Sequence, residues 1–426
     1  MGKFFTAVRL QEDLCVGCIN CIKRCPTEAI RVRNGKAMIK KEFCIDCGEC
    51  IRICKHHAKK AIYDSLDMLQ QFEYTIALPA PSLYAQMNNL DDINIVLNAL
   101  KRMGFDDVYE VSGAAEVLSS YSRTYVEQHK EKWPIISTAC PSVTRLIRVR
   151  FPNLLEHLLP IKPPIDIAAL VARKEAIKKT GLPSEKIGIF FISPCPAKVT
   201  AVRYPLGYGH SEVDGVLAMK EVYPILIKHM KDVAEEDELE DLVTSGKIGI
   251  SWGSSGGEAS GLLSDSYLAA DGIENVIRVL EDMEDQKFSN LEFIELNACS
   301  GGCVGGVLTV ENPYVAKVKL KRLRKYLPVA RNHSTIDEKD LLWDTEVEYE
   351  PVFTLGENLT ESINMMAKIE ELLQSFPGLD CGSCGAPTCK ALAEDIVRGV
   401  AKETDCIHIF REKMIRLSSG LNKEEI

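Results

Sequence analysis

Apolar and polar positions along the chain alternate between two periods. Short β-branched runs at residues 134–137, 187–192 and 293–296 read as buried strands, as do 108–111 and 247–252. Between them, apolar residues recur every three or four positions near 82–103, 114–130, 165–180 and 217–232, which predicts amphipathic helices. The 165–180 helix has Pro163-Pro164 at its start and Gly181 just past its end, as helix termini favour. A short linking helix is expected at 63–72, and residues 75–81 open the large domain. Alternation of strand and helix predicts an α/β domain built on a mostly parallel sheet.

Three of these strands run into cysteines. Cys140 follows the first in Ser137-Thr138-Ala139-Cys140-Pro141, Cys195 follows the second in Ser193-Pro194-Cys195-Pro196-Ala197-Lys198, and Cys299-Ser300-Gly301-Gly302-Cys303 follows the third. Ligands of open α/β sheets bind beyond the carboxyl ends of the strands, so cysteines far apart in sequence are expected to converge there. Four thiolates at one place suggest a metal. Burial as small hydrophobes explains one or two cysteines, but not a Cys-x3-Cys in a glycine-rich loop.

Composition narrows the class. The chain has 426 residues, 46% hydrophobic and 26% charged, enough for two or three globular domains. No apolar run approaches the roughly 20 residues that cross a bilayer, and the start lacks the apolar stretch of a signal peptide. A cytoplasmic location with no membrane partner is therefore expected. Sixteen cysteines without an export signal point to metal sites rather than disulfides.

Those cysteines divide into groups of four. Cys15-x2-Cys18-x2-Cys21-x3-Cys25-Pro26 is repeated by Cys44-x2-Cys47-x2-Cys50-x3-Cys54, the bacterial ferredoxin spacing. In it the fourth cysteine of each run ligates the other cluster. One 4Fe-4S cluster is thus expected on Cys15, Cys18, Cys21 and Cys54, and another on Cys44, Cys47, Cys50 and Cys25. Paired zinc knuckles use different spacings. Residues 1–62 carry a local charge of +7 in a chain of net −10, which suits the steering of an acidic redox partner as well as a plain solvated surface. Nucleic acid is not an expected partner of so acidic a chain.

A fourth group lies near the end. After a charged linker that begins at 331 and a helix at 361–375 comes Cys381-x2-Cys384-x4-Cys389-x16-Cys406, with a further helix at 392–400. Four cysteines alone also allow a structural zinc. The run Gly253-Ser254-Ser255-Gly256-Gly257-Glu258 matches neither nucleotide-loop pattern. Its glycines read as places where backbone approaches a cofactor closely.

The segments TACP, SPCPAK and ELNACSGGC, in this order after a two-cluster ferredoxin segment, resemble the signatures of the FeFe hydrogenases over roughly residues 1–330. The resemblance implies reversible conversion of H2 to protons and electrons. It implies an active-site 4Fe-4S cluster held by Cys140, Cys195, Cys299 and Cys303, bridged through Cys303 to a di-iron unit with CO, cyanide and azadithiolate ligands. Lys198 would hydrogen-bond a cyanide. The last cysteine group resembles the small four-iron domain of corrinoid iron-sulfur proteins and of sensory hydrogenases, which makes three accessory clusters.

Departures from the family gather at the catalytic surround. Ala139 stands where a proton-donating cysteine is usual, Ser193 and Asn297 replace methionines, and Gly305-Gly306-Val307-Leu308 replaces a Gly-Gly-Gly-Gln stretch. Ser119, Ser120 and Tyr121 lie in the helix where catalytic members carry relay glutamates. Such changes resemble the sensory branch and imply slow turnover, with Glu258 and Glu295 as a cysteine-free proton relay. Expected partners are H2, protons, and a redox protein such as ferredoxin or a signalling partner. The alternative is a non-catalytic hydrogenase-like protein of cluster assembly or electron transfer. The expected organisation is a two-cluster ferredoxin-like domain at 1–62, a two-lobed α/β hydrogenase domain at 63–330, a linker at 331–360 and a small 4Fe-4S domain at 361–426.

Overall fold

The computed structural model describes residues 4–236, 238–332, 334–352 and 354–421. Near the N-terminus, two antiparallel strand pairs, Val8–Leu10 with Lys59–Ala61 and Ile30–Arg33 with Lys36–Ile39, flank the short helices Asn20–Lys23 and Glu49–Arg52. Val8, Cys21, Ile22, Ile30, Ala37 and Cys50 form its small core.

The large α/β portion has two parallel sheets. One runs in the order Asp107–Val108, Tyr74–Pro79, Ile187–Ser193, Gly215–Ala218. The other runs Tyr267–Asp271, Phe293–Asn297, Ile135–Ile136. Each has its own core. Phe190, Phe191, Leu78 and Leu97 are fully buried around the first sheet, and Ile136, Ile294, Val143 and Leu280 around the second. Every residue of Ile187–Ser193 is buried, as its unbroken apolar run predicts for a strand covered on both faces.

Several expectations are corrected. The run at 247–252 is no strand but the helix Lys247–Ser251. A six-residue run carries too few positions to reveal its period, and tertiary context decides it: the buried Glu116 carboxylate accepts from the N–H of Gly246 at 2.6 Å and of Gly249 at 3.3 Å, at the positive end of the helix. A Cβ on Gly249 would lie 2.0 Å from the Ser112 carbonyl oxygen, so only glycine fits.

The helix at 82–103 is two, Pro81–Tyr84 and Ile93–Arg102, the second started by the Asp92 side chain accepting from Asn94 N–H at 2.9 Å. The strand at 108–111 shrinks to Asp107–Val108 because the helix Val111–Gln128 begins at once. The helix at 63–72 is a 3₁₀ turn, Leu66–Gln71, and that at 217–232 begins at Met219, after a strand. The pattern also missed strand Tyr267–Asp271 and helices Ile273–Glu284 and Pro313–Leu323.

Residues 334–352 are irregular apart from the short helix Glu338–Leu341 and a bridge from Leu342 to Ile161, yet they are held to the large portion. Leu341 is buried, Trp343 N–H donates to Pro160 O at 3.0 Å, and Arg148 pairs with Glu350 at 2.9 Å. Beyond them, helices Leu359–Ser375 and Cys389–Val397 share a core of Ile369, Phe376, Ala386, Leu392 and Cys406. This unit docks on the N-terminal one. Asp395, only 1% exposed, receives Arg31 at 2.7 Å and Arg33 and Lys40 at 2.9 Å each, and Val32 N–H donates to Gly385 O at 2.8 Å. Three of the cations behind the local +7 thus share one carboxylate inside the chain.

Candidate metal-cluster centre

Two of the strand-end cysteines are placed by the same local device. Cys140 and Cys195 are extended residues that each close a strand–helix junction, with Pro141 and Pro196 opening the helices Pro141–Arg150 and Pro196–Arg203. Proline costs nothing at a first helical position because that N–H has no partner in the helix. The thiol is thereby left at the positive end of a helix dipole, where thiolate is favoured.

The other two sit in a loop that glycine alone permits. Gly301 and Gly302 have φ of 82° and 84°, and a Cβ on Gly302 would lie 2.4 Å from Ser255 N. The stretch 253–257 supports this loop from behind: Ser255 N–H donates to Gly301 O at 3.0 Å and Val304 N–H to Gly253 O at 2.9 Å. Its glycines let backbone approach backbone.

The structure brings the four together. Burial pushes Cys195 up to about 11, with Cys140 adding to the shift. Burial pushes Cys303 up to about 12, with Cys195 and Cys140 adding, and raises Cys299 well above an ordinary thiol, with Cys195, Cys140 and Cys303 all contributing. Cys195, Cys299 and Cys303, desolvated and crowded by like thiols, do not ionise unaided. A cationic metal group between them would reverse that preference, so the donor set fits an iron-sulfur cluster.

The remaining quartets follow the crossed ferredoxin pattern. Burial pushes Cys21 up to about 11, with Cys18, Cys15 and Cys54 as its charged neighbours. Burial likewise raises Cys44, Cys47 and Cys50, each close enough to Cys25 to feel it. Backbone N–H groups of Ala29, Ala37 and Ala58 donate to the sulfurs of Cys25, Cys15 and Cys54 at 3.2, 3.4 and 3.3 Å. In the last unit burial raises Cys384, beside Cys406 and Cys381, and Cys389 packs in the same core. Among the described residues no group of three or more His, Cys, Asp or Glu side chains is drawn together to hold a single metal ion. The quartet containing Cys47 lies against the strand-end cysteines: Ile45, Cys47 and Cys140 share one core, and Arg52 donates to Gly305 O at 2.7 Å.

Lys198, 8% exposed in the first turn of Pro196–Arg203, donates from Nζ to Ala139 O at 3.0 Å. Glu258 and Glu295 are 5% and 3% exposed. Glu295 accepts from Gly256 N–H at 3.0 Å, Ala259 N–H at 2.9 Å and the Asn297 amide at 2.8 Å. Burial and then Glu295 push Glu258 up to about 8. The two carboxyls are neighbours at the edge of the cysteine site.

Ser137 was not among the expected functional residues. Its hydroxyl donates to Glu258 Oε2 at 2.6 Å and accepts from Ala139 N–H at 3.2 Å, joining the carboxyl pair to the position of the missing thiol. Its place two residues before Ala139, at a strand end, was the available signal. The three helix positions carry other bonds: Ser119 accepts from Trp252 Nε1 at 2.9 Å, Tyr121 donates to Glu338 at 2.8 Å, and Ser120 is exposed.

Comparison with known proteins places this geometry. A family model described as the C-terminal domain of the iron-only hydrogenase large subunit matches residues 73–268 and 260–307, a 4Fe-4S dicluster domain matches 7–55, and an Fe-S cluster family matches 376–408. Iron hydrogenase 1 of Clostridium pasteurianum is 24% identical over 308 residues, 59% of this chain and 53% of that protein. NADP-reducing hydrogenase subunit HndD of Solidesulfovibrio fructosivorans is 22% identical over 370 residues, 72% of this chain and 59% of that one. The chain thus spans between half and three-fifths of the length of these relatives. The solved structure of HydA(deltaEFG), an [FeFe]-hydrogenase, aligns with a TM-score of 0.49 at 15% identity, covering 63% of this chain and 88% of that one. Because the hydrogenase model extends over more than half of the chain and takes in all four strand-end cysteines, this protein belongs to the iron-only hydrogenase family.

Proposed function

We propose that the protein interconverts H2 with protons and electrons, slowly, at a six-iron cluster held by Cys140, Cys195, Cys299 and Cys303, and that three accessory 4Fe-4S clusters carry the electrons. When bound, the group supplies a Lewis-acidic iron that polarises H2 and a bridge amine that takes the proton. The observation that carries this reading is the meeting of four thiols with the buried ammonium of Lys198 beside Ala139. An ammonium is a compact donor suited to an anionic diatomic ligand.

Proton movement falls to residues of this chain. Ala139 has no proton to give, but Ser137, Glu258 and Glu295 form a hydrogen-bonded and electrostatic chain that ends beside it. Glu258, pushed up to about 8, keeps its proton near neutral pH and can release it, as a general acid must. The amide and hydroxyl at Asn297 and Ser193 fill positions that the family usually gives to thioethers. Slow turnover suits a protein that reports H2 rather than consumes it.

The proposed units are the ferredoxin-like domain at 1–62, the hydrogenase domain at 63–330, the strap at 331–360 and the cluster domain at 361–426. The Arg52 contact and the Asp395 dock support a continuous electron route from the last cluster through the N-terminal pair to the strand-end cysteines. Among the described residues no helix is long and apolar enough to cross a membrane. The test is H2 oxidation and evolution by the anaerobically matured chain, with Lys198→Ala as the comparison. Turnover that falls with loss of the di-iron unit supports the reading, whereas full activity in that variant removes Lys198 from it.

A further inference from the structure

Lys198 has no carboxylate within ion-pair distance among the described residues, although it is nearly buried. A buried ammonium without a counter-charge is costly, so the source of its compensation matters. The thiols of Cys195 and Cys303 and the carboxyls of Glu258 and Asp166 are near enough to feel its charge, and it lines one small cavity with Arg145 and Tyr208. The thiols belong to the cluster and Glu258 to the proton chain. Asp166 has no part in either.

Asp166 lies in the first turn of helix Pro164–Thr180 and is buried. The Tyr208 hydroxyl donates to one of its oxygens at 2.7 Å, and the Ser211 hydroxyl donates to the other. Two donors, one on each oxygen, suit an ionised carboxylate, and the helix N-terminus favours the same state. Burial raises its pKa above the ordinary carboxylate value, and the Ser211 and Tyr208 hydroxyls and Lys198 limit that rise. Tyr208 and Lys198 line a cavity of about 30 Å³ with Thr138, Thr144 and Arg145. That is room for a water, and the Arg145 Nε, buried without a hydrogen-bond partner, offers it a donor.

We propose that Asp166, acting through Tyr208 and the cavity that Tyr208 shares with Lys198, is a positioning residue for Lys198: it supplies the negative charge that holds the ammonium at Ala139. The role in catalysis rests on Lys198 serving the active-site group, whereas the link between Asp166 and Lys198 stands without it. Asp166→Asn keeps the shape and one of the two acceptor oxygens while removing the charge, and Tyr208→Phe removes only the hydroxyl.

The deciding experiment is an anaerobic crystal structure of the full chain, without the di-iron unit, for the parent and both variants, joined to infrared spectra after maturation. In Asp166→Asn the Lys198 ammonium should leave the Ala139 carbonyl, and the cyanide bands should shift toward those of Lys198→Ala. Asp166→Glu should restore both, and Tyr208→Phe should give an intermediate shift. An unmoved Lys198 in Asp166→Asn overturns the proposal. If Lys198 moves but Lys198→Ala itself leaves the cyanide bands unchanged, the link to Asp166 holds and the cofactor role of Lys198 is what fails.

Discussion

Glu258 shows how one residue ties stability to chemistry. Its carboxyl is pushed up to about 8 from an ordinary 4.5, so the folded chain holds a proton that the unfolded chain has lost. Stability therefore falls as pH rises from about 4.5 to about 8 and levels off above, at a slope of about 1.4 kcal/mol per pH unit for one such proton. Glu258→Gln, always neutral, should flatten that window in apo-protein melts at several pH values. An unchanged pH dependence would show that Glu258 is already ionised. The same variant, and Glu295→Gln, should lower H2 turnover by roughly 100-fold, the low end for lost general acid–base catalysis, with the infrared bands of the cluster intact. Ser137→Ala removes the hydroxyl bridge and should reproduce that loss, whereas parental activity would mean that protons leave by another way.

Elements differ in how plainly the sequence announced them. The cysteine spacings and the Cys-Pro junctions were legible because ligand geometry and the missing proline N–H impose local rules, and the same holds for Ile187–Ser193, buried along its whole length. The Lys247–Ser251 helix was not legible, since the Glu116 carboxylate that fixes it comes from more than a hundred residues away. Ser137 and Asp166 escaped for a related reason: their meaning lies in the partners across the fold, Glu258 and Tyr208, not in their own spacing. The Cys299–Cys303 loop gives the test at this scale. Gly302→Ala meets both a left-handed φ of 84° and the Ser255 backbone, so the loop must shift. Iron at the strand-end cysteines should be lost while iron at the other cysteine groups remains, as read by iron content and electron paramagnetic resonance. Retention of a full iron complement would mean that the loop tolerates the displacement.

At the scale of the molecule, the N-terminal and C-terminal units are joined by one carboxylate among three cations. Burial alone would raise the Asp395 carboxyl, but Arg31 and Lys40 outweigh it and hold it below the ordinary range. Asp395→Asn leaves those cations facing a neutral amide, and breaking a buried pair costs about 3–5 kcal/mol. The last unit should then detach, seen as a larger radius of gyration in small-angle scattering and faster proteolysis after residue 354, with the hydrogenase cluster spectrum unchanged. An unaltered scattering profile would show that the backbone contact of Val32 with Gly385 and the surrounding packing suffice.

The account's central claim is that Cys140, Cys195, Cys299, Cys303 and Lys198 form the seat of a hydrogen-activating six-iron cluster. Infrared spectroscopy of the full chain, before and after anaerobic maturation with the di-iron cofactor, tests it most directly. Iron-bound CO and cyanide bands should appear on maturation, shift under H2, and vanish in Cys303→Ser. A matured chain that shows no such bands, with its accessory clusters in place, would contradict the claim and leave a protein that keeps only its cubanes.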